Sequence, residues 1–299
     1  ASAEVIKPYL RGQDVDRWCS DWSGRWMIFA RRGIKIRDYP SVLRHLENYR
    51  QQLEPKPKNW TGDVWPGRKA GRYCWYEIQD TVDYWREFDK PKIFYQVIQF
   101  HPCYAIDRSG MLGNDKTFFI PTDDLYLLAV LNSPLIWWHN WRTLTHLKDE
   151  ALSPMGYVME SLPIARPSDT VRLKVEKAVT RVIEIAQGKH ETRQVTLDWL
   201  QVEYEIAKPS LRLQSPIDLD SDGFVAEVKK ARGKKKPLTA AGLKALREEY
   251  IRLIDPARRL AAEAIKLEHQ ISDLVNEAYG LTPAEVALLW QTAPPRMPI

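Results

Sequence analysis

Phe88-Asp-Lys-Pro-Lys-Ile-Phe-Tyr-Gln-Val-Ile98 is the stretch that decides the fold of the first half of this chain. It is followed by Asn114-Asp-Lys-Thr-Phe-Phe-Ile120 and by Leu127-Leu-Ala-Val-Leu-Asn-Ser-Pro134. Aromatic and β-branched residues favour strands in the first two stretches, and the Leu and Ala residues of the third favour a helix. Strands are therefore predicted at about 92–98, 103–107 and 116–120. A helix is predicted from about 123 to 132, with Thr122 or Asp123 as its N-cap.

Shorter elements and one long loop precede this stretch. The chain opens on a short strand that begins at Val5, and the apolar run Trp26-Met-Ile-Phe-Ala30 has the length of a buried strand. Between Tyr39 and Leu53 the apolar residues recur on one face of a predicted helix. From Glu54 to Arg72, prolines and glycines are interspersed with five cations, which predicts a long loop.

The distribution of aromatic residues predicts two domains. Twenty-five of the 32 Phe, Trp and Tyr residues precede residue 142, whereas the second half is rich in Ala, Leu, Glu, Lys and Arg. The expected fold is α+β: a mixed α/β domain with a twisted, mostly antiparallel sheet at 1–166, followed by a helical region at 167–299. The two prolines of Leu162-Pro-Ile-Ala-Arg-Pro167 predict a rigid connector at the boundary.

The helical region carries two apolar repeats with gaps of three and four residues. One repeat consists of Leu260, Ala264, Leu267, Ile271, Leu274 and Ala278, and the other of Val171, Val175, Ala178, Val182 and Ile185. This spacing predicts coiled-coil-like helices that pack on one another as a spacer, and two ordinary helices of a bundle fit it equally well. Thr282-Pro-Ala-Glu285 predicts a capping box for a final short helix.

Charge and composition bound the class of protein. The formal net charge of +5 permits nucleic-acid binding, and cations cluster at Arg25 to Arg37, within the long loop, and at Lys229 to Lys236. The last cluster is interpreted either as a solvated loop or as a DNA phosphate contact. No window is apolar enough to cross a bilayer and no secretory signal is present, so a cytoplasmic location without membrane contact is expected. The three cysteines lack CxxC spacing, which predicts buried thiols rather than disulfides or a metal site.

Six segments, taken in order, resemble a known family. They are Lys7-Pro-Tyr-Leu-Arg-Gly-Gln-Asp14, Tyr39-Pro40, Lys90-Pro-Lys-Ile93, Asn114-Asp115, Leu131-Asn-Ser133 and Glu160-Ser-Leu-Pro-Ile164. Together they resemble the C-terminal target recognition (specificity) domain of the adenine methyltransferases of TaqI-like, type IIG restriction-modification and phage-defence systems. The stretch from Leu267 to Glu285 is similar to the terminal helix and turn of the same enzymes.

The resemblance implies sequence-specific recognition of double-stranded DNA by a fragment that is not itself an enzyme. The expected partners are DNA and a methyltransferase module of the same parent chain. The fragment is expected to need no cofactor and no metal, whereas the parent would be an S-adenosylmethionine-dependent adenine methyltransferase, with or without endonuclease activity. Loop placement and residue type select the expected DNA contacts. These are Arg31, Arg32, Lys35, Arg68, Lys69, Arg72, His101, Asn114, Lys116, Lys234 and Lys235.

Two alternatives remain open from the residues themselves. Asp222, Glu227 and Lys229 have the residue types of a magnesium-dependent nuclease site, although no acid-bearing apolar strand precedes them. A protein-interaction scaffold without DNA specificity is the other alternative, in which the helical seam docks partner subunits. The ionic strength dependence of binding discriminates between DNA and an aromatic protein interface.

Overall fold

A computed structural model of the chain describes residues 2–233 and 238–299. The chain groups into two compact units. Unit 1 comprises Ala1–Val15, Trp22–Val97 and Ala105–Asp123, and unit 2 comprises Asp16–Asp21, Ile98–Tyr104 and Asp124–Ile299. The domain boundary between residues 166 and 167 stays a prediction.

Short strands and helices alternate up to residue 123. They are β1 (Ile6–Leu10), β2 (Trp26–Ile28), α1 (Pro40–Glu47), α2 (Arg50–Leu53), β3 (Lys92–Gln96), β4 (Tyr104–Asp107), β5 (Leu112–Gly113) and β6 (Thr117–Ile120). One sheet has the order β2-β1-β5, in which β1 is antiparallel to β2 and parallel to β5. The other has the order β4-β3-β6, and β3 is antiparallel to β6 with Phe94 opposite Phe119. The α+β class and the mostly antiparallel pairing are therefore confirmed, but the strands form separate small sheets rather than one.

Two local predictions in this part of the chain were wrong. Trp26 begins β2 with 59% of its side chain exposed, so the Trp26–Ala30 run is not a wholly buried strand. The helix predicted between Tyr39 and Leu53 is interrupted after Glu47, because α1 and α2 are separate helices. A short interruption does not alter apolar periodicity, which is why the sequence pattern reads as continuous.

The core of unit 1 contains a buried ion pair beside its apolar residues. Leu10, Phe94 and Leu112 belong to one hydrophobic cluster. Next to them, the Lys92 ammonium is fully buried and donates to the Asp107 carboxylate at 2.6 Å and to the Phe88 carbonyl at 2.6 Å. A buried cation needs such partners, because an unpaired charge in the interior is strongly destabilising. The Lys90-Pro-Lys-Ile93 segment thus has a structural role in joining β3 to the turn after β4.

Helices dominate the chain after residue 123. The elements are α3 (Leu125–Leu131), α4 (Pro134–Thr143), β7 (Thr145–His146), β8 (Leu152–Ser153), α5 (Gly156–Met159), α6 (Asp169–Tyr204), α7 (Ser221–Arg232), α8 (Ala240–Glu249), a π-helical turn (Tyr250–Ile254), α9 (Asp255–Ala278) and α10 (Pro283–Gln291). Asp124 is the N-cap of α3, one or two residues later than predicted. The capping box is confirmed, because Thr282 and Glu285 exchange both hydrogen bonds at the start of α10. Among residues 2–233 and 238–299, none of the helices has the length and apolarity that a membrane crossing requires.

Helices α6 and α9 pack against each other more extensively than any other pair of elements among the described residues. The predicted seam of α6 is buried from Val171 to Ile185, and Ile271 and Leu274 of α9 are buried with it. Arg181 and Glu263 link the two helices by an ion pair of 2.8 Å. The predicted pairing of the two apolar repeats is therefore observed, while their coiled-coil character stays a prediction.

Candidate nucleic-acid interface

The net positive charge of the chain falls within one of its compact units. Unit 1 contains 19 Lys and Arg residues against 14 Asp and Glu residues, whereas unit 2 contains 25 of each. The whole formal excess of +5 therefore falls within unit 1. A basic excess on one compact unit is the electrostatic pattern typical of a polyanion-binding surface.

The long basic loop is closed by Arg68. The predicted loop is confirmed, and turns and bends continue from Glu54 to Tyr84. The Arg68 backbone N–H donates to the Glu54 carbonyl at 2.9 Å. Its guanidinium donates to the carbonyls of Leu53 at 2.7 Å, Glu77 at 2.6 Å and Trp75 at 2.7 Å. Arg68 therefore anchors the loop, and the donors that a guanine edge would need are already engaged.

The backbone next to Arg68 is also closely packed. A Cβ atom added at Gly67 would lie 2.2 Å from the Glu54 carbonyl oxygen, which no side chain tolerates. Trp65 donates its indole N–H to the same carbonyl at 3.0 Å, and its ring meets that of Trp60 edge-on at 5.0 Å. These contacts hold the loop in a defined conformation despite its lack of regular structure.

Three of the predicted contact residues are exposed cations on this framework. Lys69 and Arg72 follow the Arg68 anchor, and Lys35 lies in the turn before α1. Within the part of the chain that the structure describes, none of the three makes an ion pair. Lys116 is 62% exposed and pairs with the 76% exposed Asp115 at 2.9 Å. Surface pairs of this kind contribute about 0–1 kcal/mol, so a phosphate could replace Asp115 as the partner of Lys116.

The two predicted arginines of the β2–α1 segment contact aromatic rings. The Arg31 guanidinium lies 4.5 Å from the centre of the Trp85 ring, and Arg86 lies 4.6 Å from the same ring. Arg32 is half-buried, donates to the Gln79 carbonyl and lies 5.8 Å from the Tyr73 ring. Arg31 therefore retains donors for a ligand, whereas the role of Arg32 in holding residues 73–79 resembles that of Arg68.

Asn114 organises the turn before β6 at the edge of a cleft. Its side-chain oxygen accepts from the Lys116 N–H at 3.0 Å, and its carbonyl accepts from Thr117 Oγ1 at 2.8 Å. The cleft has a volume of about 520 Å³ and also includes Gln79 and Tyr84 among its lining residues. Asn114 is thus both a turn residue and part of a concave surface.

His101, Lys234 and Lys235 are the remaining predicted contacts. His101 is exposed, and its Nδ1 lies 3.2 Å from the Cys103 sulfur and 3.3 Å from the Pro102 carbonyl oxygen. Lys234 and Lys235 lie outside the described residues. DNA contact by each of the predicted residues stays a prediction.

The residues considered for a nuclease have other partners. Asp222, Glu227 and Lys229 all belong to helix α7. Asp222 pairs with Arg247 at 2.9 Å, and the buried Glu227 accepts from Ser210 at 2.8 Å. Among residues 2–233 and 238–299, no group of three or more His, Cys, Asp or Glu side chains has the arrangement of a metal site.

The cysteines do not all follow the prediction of buried thiols. Cys19 and Cys103 are buried, and burial raises the pKa of each to about 12. Cys74 is exposed, so the prediction was wrong at this position. Cys74 belongs to the loop that Arg68 anchors, where local composition does not show which side chains point outwards.

Several aromatic residues lie on the surface of unit 1, and of these sequence reasoning had indicated Trp60 but missed Trp26 and Tyr84. Trp26, Tyr84 and Trp60 expose 59%, 56% and 39% of their side chains. Arg86, which stacks on Trp85 together with Arg31, was also missed. The clustering of aromatic residues in the first half signals a core and a binding surface equally, and only three-dimensional placement separates the two.

Comparison with known proteins identifies the first half of the chain. Residues 7–164 match the family described as the TaqI-like C-terminal specificity domain, which is more than half of the 299 residues. The chain belongs to this family. The specificity domain contains every predicted DNA-contact residue except Lys234 and Lys235. Residues 168–275 match a second family, described as a Domain of unknown function (DUF8810).

A solved structure is similar to the specificity domain together with its helical region. It is the type IIL restriction-modification enzyme MmeI in complex with DNA, with a TM-score of 0.48 and 13% sequence identity over 98% of this chain. The chain spans 31% of the length of the MmeI chain. No curated protein matches the chain. The resemblance to a restriction-modification target recognition domain is thereby confirmed by the family match.

Proposed function

We propose that this specificity domain recognises a defined sequence in double-stranded DNA on behalf of a restriction-modification methyltransferase. The observation that carries the proposal is the location of the entire +5 charge excess in unit 1. The family match over residues 7–164 supports the same function. The catalytic methyltransferase module would belong to the same parent chain.

The mechanism separates holding of the backbone from reading of bases. Exposed Lys35, Lys69 and Arg72 bind phosphates and set the register of the duplex. Such contacts position the protein on DNA but carry no sequence information. Arg68 supports them by fixing the loop through its carbonyl contacts. Preorganisation of the loop lowers the entropy lost when DNA binds.

Base reading requires polar groups at a concave surface of the same unit. Asn114 and Gln79 line the 520 Å³ cleft, and an amide pairs bidentately with the major-groove edge of adenine. The Asn114 oxygen accepts from the Lys116 N–H in the turn and has a second lone pair for a base. Arg31 on the Trp85 ring carries a guanidinium that suits guanine in the same way. These residues replace Arg68 as our assignment for sequence reading, since the Arg68 donors are engaged in the loop.

The family match also supports a proposal for the wider biological role. We place the domain in a TaqI-like, type IIG or phage-defence adenine methyltransferase of the cytoplasm, with S-adenosylmethionine as the cofactor of the parent enzyme. The fragment itself serves as the recognition element, with no cofactor of its own and no reaction of its own.

A protein-interaction scaffold is the second candidate, favoured by exposed apolar residues of unit 2. Leu173, Val202 and Leu211 expose 67%, 74% and 84% of their side chains. Exposed apolar side chains suit a protein partner better than a polyanion, and Leu173 and Val202, 29 residues apart on α6, would serve separate points of contact. The methyltransferase module would be such a partner. The scaffold function is therefore an alternative to DNA recognition only if unit 1 has no affinity for DNA.

Salt dependence of DNA binding tests the proposed function. The full chain should bind duplex DNA with an affinity that falls steeply between 50 and 200 mM salt, because each phosphate contact releases counterions. Neutralising Lys69 and Arg72 together should flatten the slope of log affinity against log salt by ~1.8, at ~0.9 per contact. Lys244→Ala with Arg259→Ala is a matched control, because these cations of unit 2 are 77% and 80% exposed.

The outcomes separate the two candidates. An unchanged slope in the control and a flattened slope in the loop variant support DNA recognition by unit 1. Binding that is absent, or that does not respond to salt, contradicts the proposal and favours the scaffold. Fluorescence anisotropy of a labelled duplex, titrated at several salt concentrations, measures the affinity for DNA and its salt dependence.

A further inference from the structure

The cleft of unit 1 has walls that suit a planar aromatic ligand. Tyr9, Phe29, Tyr84, Phe88 and Phe118 contribute to its lining, and its volume is about 520 Å³. This lies within the range of about 300–1,000 Å³ typical of small-ligand sites. The cleft is therefore large enough for a ring system and for part of the chain that carries it.

Tyr84 is the most accessible aromatic residue of this wall. Its ring lies 5.8 Å from that of Phe88 and 6.0 Å from that of Phe119, and 56% of the side chain remains exposed. Aromatic neighbours thus hold the ring in place while part of its surface is open. A supported, exposed ring of this kind is what base stacking on a protein uses.

Four polar residues of the cleft carry hydrogen-bond acceptors, and Arg68, whose guanidinium is bound to loop carbonyls, is also part of the lining. Asp80 and Asp115 contribute carboxylates, and Gln79 and Asn114 contribute amide oxygens. Burial and the nearby Asp115 carboxylate raise the pKa of Tyr9, so its hydroxyl stays protonated. Carboxylates accept hydrogen bonds from the amino groups of adenine, cytosine and guanine, and Asp115 can do so by exchanging its weak surface pair with Lys116.

We propose that this cleft holds one nucleobase, extruded from the duplex and carrying an exocyclic amino group. The proposal rests on the proposed function, because DNA must bind unit 1 for the cleft to meet a base. Tyr84 would stack on the extruded base, and Asp115 or Asp80 would accept from its amino group. Thymine is disfavoured, since its edge offers no amino donor.

Energy balance is compatible with extrusion. Unpairing and unstacking one nucleotide has a moderate free-energy cost, which is lowest for a mismatched base. Stacking on an aromatic side chain and hydrogen bonds to the base edge offset that cost. The extruded base is additional to the adenine that a methyltransferase modifies, because the latter enters the catalytic module.

Abasic substitution combined with cleft variants tests the inference. A cognate duplex is first obtained by selecting random double-stranded oligonucleotides on the full wild-type chain. Each nucleotide of that site is then replaced in turn by an abasic nucleotide. Binding of every duplex is measured for the wild type, Tyr84→Ala, Asp115→Asn and the control Tyr49→Ala, whose tyrosine is 48% exposed and not part of the cleft lining.

The expected result is coupling at a single position. Tyr84→Ala should weaken binding to the intact duplex by ~10-fold or more, as loss of one stacked base requires. At the position of the extruded base, the abasic duplex should bind the variant and the wild type equally. Asp115→Asn should show weaker coupling at the same position, and Tyr49→Ala should show none.

Mismatches provide a second readout that does not depend on the variants. A mismatch opposite the extruded base should tighten wild-type binding, because unpairing then costs less. Coupling at an adenine, cytosine or guanine supports the inference, and coupling at a thymine contradicts the proposed hydrogen bonds.

The two proposals fail in different ways. If the wild type selects no sequence and shows no salt-dependent binding, the proposed function fails and the inference fails with it. If selection succeeds but Tyr84→Ala and Asp115→Asn lose the same affinity on every duplex, or lose none, the inference is overturned while DNA recognition stands.

Discussion

Replacing Arg68 by Ala should loosen the long basic loop without removing a direct base contact. The guanidinium makes three hydrogen bonds of 2.6–2.7 Å to the carbonyls of Leu53, Glu77 and Trp75. At about 1 kcal/mol net for each bond, their loss should lower the free energy of loop opening by about 3 kcal/mol. Hydrogen exchange of residues 54–84 should accelerate by roughly 100-fold, since ~1.4 kcal/mol corresponds to a factor of ten.

Arg72→Ala is the matched control, because Arg72 is an exposed arginine of the same loop. It should leave hydrogen exchange unchanged, as surface substitutions usually alter stability by less than about 0.5 kcal/mol. It should still lower DNA affinity at low salt through the lost phosphate contact. The reasoning is refuted if Arg68→Ala leaves exchange unchanged but abolishes preference for one guanine, because Arg68 would then read that base directly.

Three further perturbations test other parts of the structure. Leu274→Ala in the α6–α9 seam should lower the free energy of unfolding by about 2–5 kcal/mol. Leu173→Ala, at a residue that is 67% exposed, should lower it little. Equal effects of the two substitutions in a denaturant titration would contradict the assigned seam. Thiol labelling of the native chain should modify Cys74 rapidly and Cys19 and Cys103 only after unfolding, and early labelling of Cys19 would show that its burial is wrong. Burial acts to raise the pKa of Asp14, but hydrogen bonds from Arg11 bring it below the ordinary value of 3.8. The stabilisation that this ionised carboxylate contributes should therefore be fully present above about pH 4 and lost as pH falls through the lowered pKa. Asp14→Asn should remove this acid-dependent part from the unfolding free energy measured between pH 2 and 6, and identical pH curves for both proteins would argue against the ion pair.

Local sequence signals predicted the elements that depend on neighbouring residues. The aromatic pattern around Phe94 and Phe119 predicted two strands that pair in the structure. Thr282 and Glu285 predicted a capping box that both hydrogen bonds confirm. The three-and-four spacing predicted that α6 and α9 pack together, because burial of an apolar stripe depends mainly on periodicity.

Features that depend on distant contacts could not be predicted in this way. The role of Arg68 depends on carbonyls of residues 53, 75 and 77, and the sequence does not show where those carbonyls lie. Trp26 reads as a core residue from its apolar neighbours, but it is exposed at the start of β2. The division into separate small sheets is likewise a matter of strand pairing over long sequence distances.

The candidate site shows the same division between local and distant information. Clusters of Lys and Arg identified Lys35, Lys69 and Arg72, which are exposed as a phosphate contact requires. The acceptor-rich cleft around Tyr84 and Asp115 was not predicted, because its lining residues come from segments far apart in the chain. Residue type therefore indicated where charge lies, and the fold determined which charges remain accessible.

Selection of binding sites from a random pool of duplex DNA tests the central claim most directly. Pools recovered on the full chain should converge on one short sequence, and the same sequence should be recovered with Lys69→Ala, although with lower yield. A pool that stays random while the chain binds DNA in a salt-dependent manner would contradict sequence recognition by this domain. Salt-dependent binding is the result that the charge distribution predicts, and convergence on one sequence is the result that the specificity-domain family predicts.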